Sequence, residues 1–181
     1  MAFLEKLGYT ARYQYTSSYR FGSTITADSL LSIKYLISES GLDVKPYDIL
    51  GQNNQMTVQN NKNSVSLGMI SSPELLVVSL QDNDVFSNLE KIVSTIAEKR
   101  LQLFSNVPDE KVSDPDYIIV QEKDCEDEKA AMIWNINVDR GDMLYGYFPV
   151  SSYIPFTLIV NNNKPIQTTS DPFNYLIIPL G

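Results

Sequence analysis

Glu74-Leu75-Leu76-Val77-Val78-Ser79-Leu80-Gln81-Asp82-Asn83-Asp84, continued by Val85 to Phe104, joins an apolar run, a polar turn and a helical pattern. Leu75, Leu76, Val77, Val78 and Leu80 form a run of strand length, expected to be buried on both faces. After the turn, Val85, Phe86, Leu89, Ile92, Val93, Ile96, Ala97, Leu103 and Phe104 follow the i, i+3, i+4, i+7 spacing of one helical face. A buried strand feeding an amphipathic helix is therefore the expected core unit, with Asp82, Asn83 and Asp84 as caps.

Working outward, residues 9–21 alternate with period two. Tyr9, Ala11, Tyr13, Tyr15, Ser17, Tyr19 and Phe21 share one face, and Arg12 and Arg20 lie on the other. This predicts one long half-buried strand. Its tyrosine face fits a core lining or a ribbon that binds a partner. Residues 22–41 read as a helix capped by Thr26, with Asp28 in its first turn and Gly41 as its stop. Strand-like pieces follow at 44–50, 56–59 and 65–70, separated by the turn compositions of 51–54 and 60–63.

Beyond a Pro- and Asp-containing loop at 105–116, the pattern is almost entirely strand, at 117–121, 130–138, 143–150, 156–160 and 175–180. The expected fold class is α+β: a mixed or antiparallel sheet with two packed helices, then a mostly antiparallel β C-terminal region. The expected division is an α+β domain at 1–106 and a β-rich region at 107–181, either a small second domain or an extension of the same sheet.

Composition narrows the chemistry. The 181 residues include no histidine, which removes imidazole acid–base catalysis and the commonest metal ligand. The net charge is −8, and the imbalance lies after residue 104, where five basic residues face twelve acidic ones. Such a surface does not suit nucleic acid. No stretch reaches the length of an apolar membrane span, so the chain reads as cytoplasmic with no membrane partner. The one cysteine, Cys125, is flanked by carboxylates that disfavour its thiolate.

Asp116, then Asp127 two residues before Lys129, gives an order that resembles the metal-dependent nuclease motif, in which two carboxylates hold a cation and a lysine assists the attacking water. The resemblance covers about fifteen residues and departs from that family at Glu128, where an apolar residue is usual. A solvated acidic loop at 122–128 is the simpler reading, and its affinity for a cation stays open. Arg140-Gly141-Asp142 fits a hairpin turn without further explanation.

These features point to a non-enzymatic binding or assembly protein without a cofactor: a component of a larger complex, or a small inhibitor or immunity-type protein with an acidic surface. A protein partner or self-association is expected through Tyr9, Tyr13, Tyr15, Tyr19, Tyr145 and Tyr147. The alternatives are a divalent-metal-dependent hydrolase using Asp116, Asp127 and Lys129, and a small-ligand-binding module.

Overall fold

The structure, a computed structural model, describes residues 2–13, 16–18, 24–39, 47–113, 116–121, 128–148, 157–161, 166–167 and 176–180. By contacts the chain separates into two compact units, one of residues 1–103 with 143–181 and one of residues 104–142. The architecture is an α+β mix in which every described strand pairing is antiparallel, as expected from the alternating patterns.

In the larger unit, α1 (Ala2–Lys6) leads into β1 (Thr10–Tyr13), which pairs with β2 (Thr16–Ser18). The alternation over 9–21 is thus a hairpin within residues 10–18, where one long strand was expected; residues 14, 15 and 19–21 lie outside the described set. Period two fixes which side chains share a face but does not show where a chain turns.

Helix α2 (Ile25–Leu30) is far shorter than the expected 22–41 helix. Its cap is Thr24, whose Oγ1 accepts the Ala27 N–H at 3.1 Å. It stops where Ser32 takes a φ of 59°. The Ser32 N–H then reaches the Ser29 carbonyl at 3.1 Å, and the Ile33 N–H reaches the Asp28 carbonyl at 2.9 Å. This pair of bonds is a Schellman ending.

Freed from the helix, Leu36 and Ile37 join β3 (Tyr35–Glu39), which pairs with β5 (Met56–Asn60); β5 also carries β4 (Asp48–Gln52). Asn53 closes the β4–β5 turn by accepting the Gln55 and Met56 N–H groups on Oδ1, at 2.8 and 2.7 Å. The piece at 65–70 is not a strand.

Residues 73–77 form a 3₁₀ turn (Pro73–Val77) rather than a buried strand, and none of its side chains is buried. Leu76 and Val77 are 89% and 80% exposed. Pro73 cannot donate to a ladder and its fixed φ suits the start of a helical turn, started here by Ser72 Oγ accepting the Glu74 N–H at 3.3 Å.

Helix α3 (Val85–Ile96) follows as expected, burying Val85, Leu89 and Ile92. It ends before Phe104, with Glu98 at a φ of 51°. The Glu98 and Lys99 N–H groups bond to the Thr95 and Ser94 carbonyls at 3.3 and 3.1 Å. The chain then doubles back: Ser94 Oγ accepts the Leu101 N–H at 3.0 Å and Glu90 Oε1 accepts the Leu103 N–H at 2.7 Å. Helix α1 ends in the same motif at Gly8, φ 95°, with bonds from Gly8 to Glu5 and Tyr9 to Leu4.

Also in this unit, β8 (Tyr145–Phe148) pairs with β11 (Leu176–Pro179), and β9 (Thr157–Leu158) with β10 (Ile166–Gln167). Gly146 is needed on β8, because a Cβ there would lie 2.6 Å from the Phe148 ring. The core gathers Leu7, Tyr9, Ala27, Tyr47, Val85, Leu89, Ile92, Ile177 and Ile178.

The smaller unit contains a 3₁₀ turn (Asp109–Lys111) and the hairpin of β6 (Asp116–Gln121) with β7 (Glu128–Ile133). A bridge between Val112 and Ile136 and the Lys111–Asp139 ion pair extend it. That pair raises the Lys111 pKa. Residues 139–142 turn on Gly141, φ 100°, but do not join paired strands, since β8 pairs with β11.

Candidate functional site

The polar centre of the larger unit is Asp28, which is fully buried in α2. Its carboxyl group accepts the Tyr9 hydroxyl on Oδ1 and the Tyr47 hydroxyl on Oδ2, each at 2.7 Å. Both tyrosines are themselves buried. One turn earlier, the Ile25 N–H donates to the Tyr145 hydroxyl oxygen at 3.0 Å. Burial pushes the Tyr47 hydroxyl well above the ordinary tyrosine range, and the Asp28 carboxyl adds to the shift. Burial likewise pushes Tyr145 up to about 12, partly opposed by the Ile25 hydrogen bond and reinforced by Asp28. A carboxyl group engaged on both oxygens by hydroxyl donors is a structural clamp: it ties Tyr9, α2 and Tyr47 together.

A second buried polar bracket is Asn88 on α3. Its Nδ2 donates to the carbonyls of Lys6 at 3.0 Å and Gln81 at 2.8 Å, and its Oδ1 accepts the Gln81 N–H at 2.8 Å. Lys6 adds a bond to the Leu80 carbonyl at 3.0 Å and an ion pair to Asp82 at 3.2 Å. The turn 82–84 is therefore held from Asn88 and Lys6, while its cap residue Asp84 makes no side-chain cap bond.

The expected interface tyrosines are distributed as follows. Tyr9 is 5% exposed and sits on Asp28. Tyr145 lies against Phe86 at a ring separation of 6.3 Å. Tyr147 stands edge-on to Phe86 at 6.4 Å, is 38% exposed, and donates to the Asn83 carbonyl at 3.4 Å. Tyr13 lies on β1. Tyr15 and Tyr19 lie outside the described residues. Asp28, Tyr47, Asn61 and Asn88 organise the site without having been singled out as such. An Asp in a first helical turn looks like an ordinary dipole partner, so the sequence held no distinguishing signal for Asp28.

The water-facing side of α3 borders an open groove of about 820 Å³, lined by Ser87, Glu90, Lys91, Ser94 and Thr95 among others. Elsewhere, the hairpin register sets Asp116 opposite Ile133 and Lys129 opposite Val120. Four ladder positions, roughly 13 Å at strand rise, separate the two. Asp127 lies outside the described residues. Among the described residues no group of three or more His, Cys, Asp or Glu side chains could hold a metal ion.

An α+β chain whose described helices are all too short or too polar to cross a membrane nevertheless matches a membrane-protein family over its whole length. The family model described as bacterial membrane protein YfhO matches residues 1–181, and the chain belongs to that family. No curated protein and no solved structure matches it.

Membership overturns the expectation of a cytoplasmic assembly, inhibitor or immunity-type protein without membrane association. The physical reason for the error is plain: hydropathy reports whether these residues can span a bilayer, and says nothing of whether the protein that carries them lives at one.

Proposed function

We propose that residues 1–181 form a water-exposed, non-catalytic module of a bacterial membrane protein. The observation that carries this reading is the two-sided character of α3 in a chain of a membrane-protein family. Its inner face buries Val85, Leu89 and Ile92, and its outer face presents Glu90, Lys91, Ser94 and Thr95 to an open groove. A helix of that kind has one side in a core and the other in water. The missing histidine and the engagement of buried Asp28 with two tyrosines support a role without acid–base chemistry.

The test is chemical labelling of the whole membrane protein in native membranes. In a Cys125→Ser background, Lys91→Cys is exposed to a membrane-impermeant maleimide. The module reading expects rapid labelling from one side of the membrane without detergent. Labelling that needs detergent from both sides would refute it.

A further inference from the structure

We propose that residues 65–77 are the lipid-contacting edge of this module, seating Leu67, Ile70, Leu76 and Val77 in the interfacial layer of a phospholipid bilayer. The inference rests on the reading of the chain as an extramembrane module and names the surface that meets the membrane.

The apolar exposure is concentrated. Leu67 is 96% exposed, Ile70 102%, Leu76 89% and Val77 80%, with Met69 at 44% between them. Isolated surface leucines are ordinary, but a run of fully exposed aliphatic side chains marks a contact surface.

The run is also held in place. At its start the buried Asn61 donates through Nδ2 to Ser29 Oγ at 3.2 Å and the Ile33 carbonyl at 3.1 Å. The backbone adds Asn61 N–H to the Lys34 carbonyl at 2.8 Å and Val65 N–H to the Ser29 carbonyl at 3.1 Å. At its far end stand the Ser72 cap and the Lys6 bond to the Leu80 carbonyl. The side chains between these anchors are displayed outward by fixed backbone on both sides.

Membership in a membrane-protein family, together with low local charge, favours lipid as the occupant. The chain as a whole carries −8, which an anionic bilayer surface repels. Residues 49–73 contain one charged side chain, the basic Lys62, and no acidic one. Lys62 pairs with Asp48, just outside that stretch. Between Val65 and Pro73 the residues interleaved with the apolar ones are Ser66, Gly68, Ser71 and Ser72, which enter a headgroup layer without the penalty of a buried charge. Glu74, beside Leu76, limits the depth to the interface. The segment therefore lies on the bilayer and does not span it.

The test is flotation of the purified 181-residue chain with protein-free vesicles of phosphatidylcholine, alone and with phosphatidylglycerol, alongside Leu67→Ser/Ile70→Ser. Moving one such side chain out of water is equivalent to roughly tenfold to a hundredfold in partition. The proposal expects the parent chain to float with both vesicle types and the double variant to partition at least about a hundredfold more weakly at an unchanged thermal midpoint.

Failure of the parent chain to float, or flotation that the double variant leaves intact, overturns the proposal. So does binding to native membranes without binding to protein-free vesicles, because a protein then covers the segment. The Lys91→Cys labelling separates the two readings. If that variant labels from water while the chain ignores vesicles, the lipid seat alone falls; if its thiol is shielded within the membrane, the module reading falls first.

Discussion

Asp28 and the segment 65–77 both invert the usual rule of apolar inside and polar outside, and they do so differently. At Asp28 a carboxyl group is taken wholly out of water, and both of its oxygens receive hydroxyl donors at 2.7 Å. Along 65–77, the side chains of Leu67, Ile70, Leu76 and Val77 are left almost wholly in water. Hydrogen bonding closes the first inversion inside the fold. The second stays open, and only a non-aqueous neighbour can close it. One region therefore stabilises this unit and the other presents a surface.

The sharpest way to break that comparison is Asp28→Ala. It removes the Asp28 acceptor from two buried tyrosine hydroxyls and opens a small cavity, an effect of ~3–5 kcal/mol. Since whole domains are stable by only ~5–15 kcal/mol, a drop of many degrees in thermal midpoint is expected by calorimetry. Tyr9→Phe and Tyr47→Phe should each lose ~1 kcal/mol, and a double-mutant cycle should show them coupled through Asp28. A midpoint unmoved in Asp28→Ala would mean that the clamp does not hold the unit. Next in size is Asn88→Ala, which removes a buried side chain and strips partners from part-buried backbone groups of Lys6 and Gln81, at ~2–3 kcal/mol by urea denaturation.

An alkaline titration probes the same clamp without mutation. The folded state holds the Tyr145 proton more tightly than the unfolded chain, with a pKa of about 12 against the ordinary 10.0. The folded protein therefore binds more protons in this window, so stability is fully present below pH 10 and declines as pH rises toward 12. The slope is up to ~1.4 kcal/mol per pH unit from Tyr145, and Tyr47 acts in the same direction. Tyrosinate absorbance and circular dichroism should lose their native values together. Full ionisation of all eleven tyrosines with an intact far-ultraviolet spectrum would contradict the burial of these two.

Much of this contrast was legible in the sequence in type and illegible in place. The amphipathic face of α3 and the antiparallel α+β class follow from periodicities that local backbone geometry enforces. The helix ends do not. All three close with the same left-handed residue, but only α1 places a glycine there; α2 uses Ser32 and α3 uses Glu98. Without that signal, the 3.6-residue pattern ran on through Leu36 and Ile37 in one case and to Phe104 in the other. The apolar run at 75–80 was misread because hydrophobicity implied burial, and an exposed apolar surface has the same composition as a core. The Asp28 clamp needs Tyr9 and Tyr47, each nineteen residues away, and no local pattern announces such a meeting.

The left-handed ends give a smaller test. Glu98→Gly removes the steric penalty of a Cβ at φ 51° while leaving both carbonyl bonds of the α3 ending in place. A gain of ~0.5–1 kcal/mol is expected, somewhat reduced because glycine also loosens the unfolded chain. A loss of stability would show that the Glu98 side chain contributes more to the ending than its backbone strain subtracts.

The smallest expected effect is the most discriminating. Leu67→Ser and Ile70→Ser remove apolar groups that are almost fully exposed, so neither opens a cavity nor strips a buried partner. Each should change unfolding free energy by less than ~0.5 kcal/mol, against several for Asp28→Ala. Stability and exposure then separate cleanly: inside the clamp one atom group decides whether the unit folds, and along 65–77 the most apolar side chains are irrelevant to folding. If either serine variant instead lowered the midpoint as a core substitution does, those side chains would be packed within the isolated chain. Their role would then be folding, and the distinction between the two inversions would disappear.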